Sequence, residues 1–89
     1  MAISYLHKEG IIYRDLKPEN IMIERSGYLK LIDFGIAKIV EGGQRSKTFC
    51  GTMQYMAPEI LMQNQYDFAV DWWALGILTY EMLFGFTPF

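Results

Sequence analysis

Polar side chains that could do chemistry together are concentrated between Tyr13 and Asn20. Asp15 and Lys17 lie two positions apart in a stretch that reads as an extended loop, so their side chains point the same way, and Asn20 follows five positions after Asp15. Such a carboxylate can orient a hydroxyl group, the lysine can neutralise a phosphoryl oxygen, and the carboxamide can ligate a hard cation through oxygen. This set suits phosphoryl transfer, in which catalysis consists of positioning and charge neutralisation.

A second acid, Asp33, follows a predicted β-hairpin. Segments 21–24 and 28–32 are rich in β-forming residues, and the turn 25–27 between them ends in glycine. The second strand of a hairpin returns to the end at which the first strand began. Asp33 is therefore expected beside the polar segment 13–20, as a second oxygen ligand for a cation.

The alternative to a reactive site is a capped turn that carries a surface salt bridge. For any one of these residues that explanation is the better one. Jointly it fails, because chance rarely places Arg14, Asp15, Lys17 and Asn20 at this spacing.

The elements before the hairpin are short. Apolar residues at helical spacing predict a helix over 1–9, and Gly10 is suited to end it in the left-handed conformation. A short apolar run, 11–13, follows. Pro18 prevents regular helix or a central strand, so the stretch Arg14 to Asn20 is predicted to be a loop.

The region after the hairpin contains one long connector and one long helix. Segment 33–58 holds four glycines and a proline, and a connector of that length predicts a functional loop. Residues 69–84 predict a helix that Asp67 can cap and Gly85 can end. Its apolar residues cover the whole circumference, which predicts burial on all sides. A membrane span is disfavoured, because the helix is short and contains two acidic residues.

Composition and charge exclude several classes of protein. At 89 residues a chain buries only roughly 60 to 65% of its unfolded surface, yet 52% of the residues are hydrophobic and 16% aromatic, which predicts a piece of something larger and excludes disorder. A net charge of -2 without a basic cluster predicts no nucleic-acid partner. The single cysteine, Cys50, excludes a disulfide scaffold and fits a reducing compartment, so an intracellular, cytoplasmic location is expected.

Three motifs in order give the chain a family resemblance. The chain resembles the C-terminal lobe of eukaryotic protein kinases across residues 1–89, as one partial domain of α+β, protein-kinase-like fold. The motifs are Arg14-Asp15-Leu16-Lys17-x-x-Asn20, Asp33-Phe34-Gly35 and Ala57-Pro58-Glu59. Features that resemble the AGC group, closest to the cyclic-nucleotide-dependent and ribosomal-S6-type kinases, are Tyr13, Thr48-Phe49-Cys50-Gly51-Thr52 and Asp71-Trp72-Trp73-Ala74-Leu75-Gly76.

The resemblance implies roles for the residues of the polar segment and the hairpin. Asp15 would accept the proton of the substrate hydroxyl, and Lys17 would stabilise the transferring γ-phosphate of ATP. Asn20 and Asp33 would hold Mg²⁺. Met22 resembles the residue under the adenine ring, for which plain core packing is the alternative.

A second set of roles concerns phosphorylation of the chain. Thr48 matches the residue that an upstream activating kinase modifies, and Arg14 and Lys38 are the cations that could pair with its phosphate. Ser46 is the less favoured acceptor. Asp71 resembles the buried acid that bonds the backbone of the catalytic loop, and His7 is assigned no role.

A third set concerns the substrate. Glu19 and Glu81 match positions at which basophilic kinases bind arginine, with a buried, locally satisfied acid as the alternative for Glu81. Lys17 and Thr52 favour serine/threonine over tyrosine specificity, and Met53-Gln54 departs from the family pattern beside the pocket after the target residue.

The implied function is transfer of the γ-phosphate of ATP to serine or threonine of protein substrates, in basic sequence contexts. The glycine-rich loop and the strand lysine of the N-terminal lobe are absent from these 89 residues. The segment alone is therefore expected to be inactive. The alternative function is a non-catalytic remnant that acts as a binding piece.

Overall fold

The structure is a computed structural model that describes residues 1–89, and it mixes helices with small antiparallel sheets. This agrees with the α+β class expected from the sequence. In chain order the elements are α1 (Ala2–Lys8), β1 (Ile11–Ile12), β2 (Ile21–Ile23), β3 (Leu29–Leu31), β4 (Lys38–Ile39), α2 (Pro58–Leu61) and α3 (Ala69–Phe84). Single 3-10 turns cover Pro18–Asn20 and Met53–Tyr55.

The predicted hairpin is confirmed. Strands β2 and β3 pair antiparallel, with Ile21 opposite Leu31 and Ile23 opposite Leu29. The ladder continues by one bond, since the N–H of Ile32 donates to the carbonyl of Asn20 at 2.9 Å. The residue after Ile32 is Asp33, so the hairpin returns it to the end of the polar segment, as the sequence predicted.

The connector 33–58 is not structureless. Its strand β4 pairs antiparallel with β1, Ile39 lying opposite Ile11, and further along Ser46 and Tyr66 form an isolated antiparallel bridge. Neither pairing was predicted, because strands of one or two residues are too short to show a periodic pattern. The connector is therefore tied to β1, which precedes the polar segment 13–20, and to the residues before α3.

Helix α3 has the bounds that the sequence predicts. Asp67 Oδ1 accepts a hydrogen bond from the N–H of Ala69 at 3.0 Å, and Gly85 ends the helix with φ +85°, its N–H donating to the carbonyl of Glu81. A residue with a Cβ would be strained at that φ. The helix has 16 residues, and no helix in the structure combines the length and apolar character needed to cross a membrane.

The prediction that α3 is buried on all sides is wrong for this chain. One face is buried, carrying Val70, Asp71, Ala74, Ile77 and Leu78. Most of the other side chains are exposed: Trp72 and Trp73 are 41% and 37% exposed, and Leu83 is 74% exposed. The physical reason is that α1, the polar segment 13–20 and α2 pack against only one side of the helix.

Exposed apolar surface predicts how the isolated 89-residue chain behaves. Nineteen large hydrophobic side chains are exposed, against fourteen hydrophobic residues that are buried. Because such exposure favours association and loose packing, we expect an aggregating or molten chain that binds a hydrophobic dye and unfolds without a cooperative transition. A soluble monomer with a sharp thermal transition and dispersed amide resonances would contradict this.

Candidate functional site

The backbone of the polar segment 13–20 is fixed by Asp71 of α3. This carboxylate is 1% exposed. Its Oδ2 accepts the N–H of Tyr13 at 2.8 Å, and its Oδ1 accepts the N–H of Arg14 at 2.9 Å. A buried charge needs such partners to offset its loss of hydration. The expectation that Asp71 bonds the backbone of this loop is confirmed.

Arg14 has an unusual backbone conformation, with φ +70°. A residue with a side chain seldom adopts this left-handed conformation unless its surroundings hold it there. Gly51 packs closely on the same peptide: a Cβ at Gly51 would lie 2.9 Å from the carbonyl oxygen of Arg14, and Gly51 itself has φ +111°. Glycine at this position therefore lets the connector approach the polar segment 13–20.

Three predicted site residues meet beside this turn. The Lys17 ammonium donates to Thr52 Oγ1 at 2.9 Å and lies 3.7 Å from Asp15 Oδ1. The Thr52 hydroxyl lies 3.4 Å from the same carboxylate oxygen. Thr52 thus bridges the acid and the lysine. The arrangement keeps both of them oriented, which a positioned proton acceptor and phosphate-binding cation require.

Asn20 and Asp33 lie at the adjoining end of the hairpin. The side-chain N–H of Asn20 donates to the carbonyl of Asp15 at 2.7 Å, so the amide oxygen is the atom available to a cation. Asp33 is exposed, with φ +58°, and its Oδ1 accepts the N–H of Gly35. The structure contains no cluster of three or more His, Cys, Asp or Glu residues suited to a metal.

This pair of oxygen ligands fits Mg²⁺. Magnesium commonly takes one or two carboxylates from a protein and completes its coordination with water and phosphate oxygens. Asp33 offers a carboxylate oxygen and Asn20 a carboxamide oxygen, and both are hard ligands. Their fit rests on ligand chemistry and on the Ile32–Asn20 backbone bond that brings the two residues to one end of the hairpin.

Met22 lies on β2 and is 56% exposed. Neighbouring residues of a strand point to opposite faces, and Ile21 and Ile23 line an apolar groove of about 460 Å³ that does not include Met22. The alternative of plain core packing is therefore not realised in this chain. A contact between Met22 and adenine stays a prediction.

The two cations predicted to reach Thr48 contact Ser46 instead. Arg14 Nη1 lies 3.4 Å and Lys38 Nζ 3.3 Å from Ser46 Oγ. Ser46 is 1% exposed, whereas Thr48 is exposed two residues further on. Both cations thus converge beside Thr48, on a neutral hydroxyl. Phosphorylation of Thr48 and its pairing with Arg14 and Lys38 remain predictions.

Glu81 is bonded to a tyrosine that the sequence analysis did not single out. The Tyr55 hydroxyl donates to Glu81 Oε2 at 2.5 Å. Burial raises the pKa of Tyr55, and the hydrogen bond to Glu81 and the negative charges of Glu81 and Glu19 raise it further. Both glutamates therefore raise the pKa of the same tyrosine. Glu19 itself is exposed and Glu81 is partly buried, and their role toward substrate stays a prediction.

Tyr13 and His7 also support the site. Tyr13 is fully buried and its hydroxyl donates to the carbonyl of Ile32. Burial raises the pKa of Tyr13 to about 12, with Asp15, Asp33 and Asp71 adding to the effect. His7 Nε2 lies 2.8 Å from Asp71 Oδ2. Nothing in the local sequence indicated this contact, because the partner of His7 lies 64 residues away.

Known proteins match this chain over nearly its full length. The family model described as "Protein kinase domain" matches residues 1–89. The chain is 58% identical over 88 residues to human cGMP-dependent protein kinase 2, covering 99% of this chain and 12% of that protein. It is 54% identical over 89 residues to serine/threonine-protein kinase sgk-1 of Caenorhabditis elegans, covering 99% of this chain and 19% of that protein.

The matched relatives are much longer than this chain. The chain spans about an eighth of the length of human cGMP-dependent protein kinase 2 and about a fifth of sgk-1. Both relatives are AGC kinases, the group that the motifs around Thr48 and Asp71 indicated. With the family model matched from the first residue to the last, the chain belongs to the protein kinase family.

Proposed function

We propose that this chain is the catalytic part of the C-terminal lobe of a serine/threonine protein kinase. The observation that carries the proposal is the joint placement of Asp15, Lys17 and Thr52 within hydrogen-bonding or ion-pair distance of one another. The chain's identity to two kinases, one of them named a serine/threonine-protein kinase, supports the same assignment. A complete kinase that carries these 89 residues is the protein in which the activity is expected.

Each residue of the site has a different role in the proposed reaction. Asp15 orients the hydroxyl of the acceptor serine or threonine and accepts its proton. Lys17 neutralises charge on the transferring phosphoryl group. Thr52 holds both side chains in place.

Protein kinases generally use ATP and Mg²⁺. Asn20 and Asp33 would hold Mg²⁺, which supplies charge neutralisation at the phosphates when bound. Met22 would lie against the adenine ring. The amide of Asn20 donates to the carbonyl of Asp15, so the metal ligand and the proton acceptor share one rigid segment.

Glu19 and Glu81 are the carboxylates proposed to bind basic protein substrates. Glu19 is exposed and Glu81 is partly buried, and each carboxylate would pair with an arginine of the peptide substrate. Thr48 is the proposed site of phosphorylation by an upstream kinase, because it is exposed beside Arg14 and Lys38. An intracellular location remains the expectation from the reducing chemistry of a lone Cys50.

Peptide phosphorylation by the complete kinase tests this function. Matched peptides with serine, threonine or tyrosine at the acceptor position should be modified at serine and threonine and not at tyrosine. Replacing arginine by alanine in the serine peptide should raise KM roughly tenfold, and Glu81→Gln should reduce that difference. Glu41→Gln, at an exposed glutamate outside the site, is the control.

Two outcomes would overturn the proposal. Transfer to tyrosine would contradict the assigned specificity. Binding of ATP without transfer to any of the peptides would favour the alternative, a non-catalytic kinase-derived chain that serves as a binding piece.

A further inference from the structure

We propose that Tyr66 is a positioning residue that fixes the Thr48 segment, residues 46–50, and the side chain of Arg14 before any phosphate is present on Thr48. The inference rests on the proposed function, because Arg14 directly precedes the proposed proton acceptor. It concerns how that same site is regulated. Tyr66 lies in the loop before α3, and nothing in its sequence context distinguishes it.

Tyr66 holds the segment first through its backbone. The N–H of Ser46 donates to the carbonyl of Tyr66 at 2.8 Å, and the N–H of Tyr66 donates back to the carbonyl of Ser46 at 2.9 Å. Tyr66 is 3% exposed and belongs to a buried cluster with Ile12 and Met56. Packing therefore fixes the ring, and the paired backbone bonds fix the start of the segment.

The hydroxyl of Tyr66 adds a second attachment. It donates its single proton to the carbonyl of Thr48 at 2.6 Å. With that proton committed, its oxygen accepts from Arg14 Nη1 at 3.1 Å. The thiol of Cys50, 3.9 Å away, can then act only as a weak donor to the same oxygen.

The same hydroxyl group is one of three hydrogen-bond acceptors around the side chain of Arg14. Arg14 Nε donates to the carbonyl of Ile36 at 2.6 Å, and Nη1 is shared between Tyr66 Oη and Ser46 Oγ. All of these acceptors are neutral. The partly buried guanidinium is thus held at two of its nitrogens by neutral acceptors, so these bonds orient it without an anion.

This arrangement has a consequence for regulation. A phosphate on Thr48 would join two cations whose positions are already set, so phosphorylation strengthens an ordered segment and does not create it. Activity of the unphosphorylated kinase then depends on the Tyr66 hydroxyl. Once charge-assisted bonds to phosphate form, the hydroxyl becomes less important, because those bonds are stronger than neutral ones.

The test compares Tyr66→Phe with wild type in the complete kinase, each with Thr48 phosphorylated and after phosphatase treatment. Without phosphate, kcat of the variant should fall about tenfold, with KM for peptide changing much less. With phosphate, the loss should shrink to about twofold. Tyr28→Phe, which removes an exposed hydroxyl, is the matched control and should equal wild type. Thr48→Ala combined with Tyr66→Phe should reproduce the unphosphorylated variant.

Two measurements do not need catalysis and separate this inference from the proposed function. Arg45 and Lys47 are exposed on either side of Ser46, so trypsin should cut the unphosphorylated variant about tenfold faster than wild type. In unphosphorylated wild type, the Ser46 amide should exchange slowly with solvent. Equal loss of kcat in both phosphorylation states, or fast exchange at Ser46 in wild type, would overturn the proposal. Protection without any kinase activity would instead refute the function alone.

Discussion

Replacing Asp33 with alanine in the complete kinase is expected to abolish magnesium-dependent transfer. Asp33 is the carboxylate that the hairpin returns to the end where Asn20 lies, and it is the acid proposed to bind Mg²⁺. Loss of a metal ligand at a phosphoryl-transfer site removes charge neutralisation that nothing else in the site provides. The measurement is transfer to a serine peptide across a titration of Mg²⁺.

A matched variant separates ligand loss from backbone strain. Asp33 has φ +58°, a conformation that asparagine and aspartate adopt more readily than alanine. Asp33→Asn keeps one oxygen and tolerates this conformation. It should therefore retain weak transfer that rises at high Mg²⁺, whereas Asp33→Ala should show none. Turnover of Asp33→Ala near the wild-type rate would refute the metal assignment.

The second large effect is expected at Asp15. Asp15→Asn should lower kcat by about 10² to 10⁴, because the amide cannot accept the proton that the carboxylate takes from the substrate hydroxyl. Lys17 and Thr52 would still have an oxygen partner of similar shape, so KM for ATP should change little. Steady-state kinetics with separate variation of ATP and peptide distinguishes the two parameters.

The control for Asp15 is the same substitution at Asp67. That carboxylate accepts the N–H of Ala69 at the start of α3, and asparagine caps a helix about as well. Asp67→Asn should therefore leave kcat and KM unchanged. If Asp15→Asn turned over as fast as Asp67→Asn, Asp15 would not be the proton acceptor.

Elements with a local signal were predictable from the sequence. The bounds of α3 follow from a long uninterrupted helical run between Asp67 and Gly85, and both residues make the expected capping contacts. Strands β2 and β3 differ from their predicted segments by a residue or two at the ends, and Gly27 in the turn has φ +89°. Each of these signals depends on neighbouring residues alone.

Long-range contacts were predicted only where a family resemblance supplied them. The hydrogen bonds of Asp71 with the polar segment 13–20 were expected for that reason, whereas the β1–β4 pairing and the Ser46–Tyr66 bridge were not. The partners in these pairings are far apart in sequence, and single residues carry no periodicity. The family resemblance ranked Thr48 above Ser46 as the phosphate acceptor, and the contacts of Ser46 with Arg14 and Lys38 were not predicted.

The hydrogen bonds between the polar segment 13–20 and Asp71 also determine when this segment can fold as the chain is synthesised. The N–H groups of Tyr13 and Arg14 leave the ribosome before their acceptor, which lies 58 and 57 residues later. Closing so long a loop costs conformational entropy before any contact repays it. Until α3 leaves the ribosome and packs, the left-handed backbone at Arg14 lacks its hydrogen bond to Asp71. The polar segment 13–20 is therefore expected to form late in folding, together with the helix.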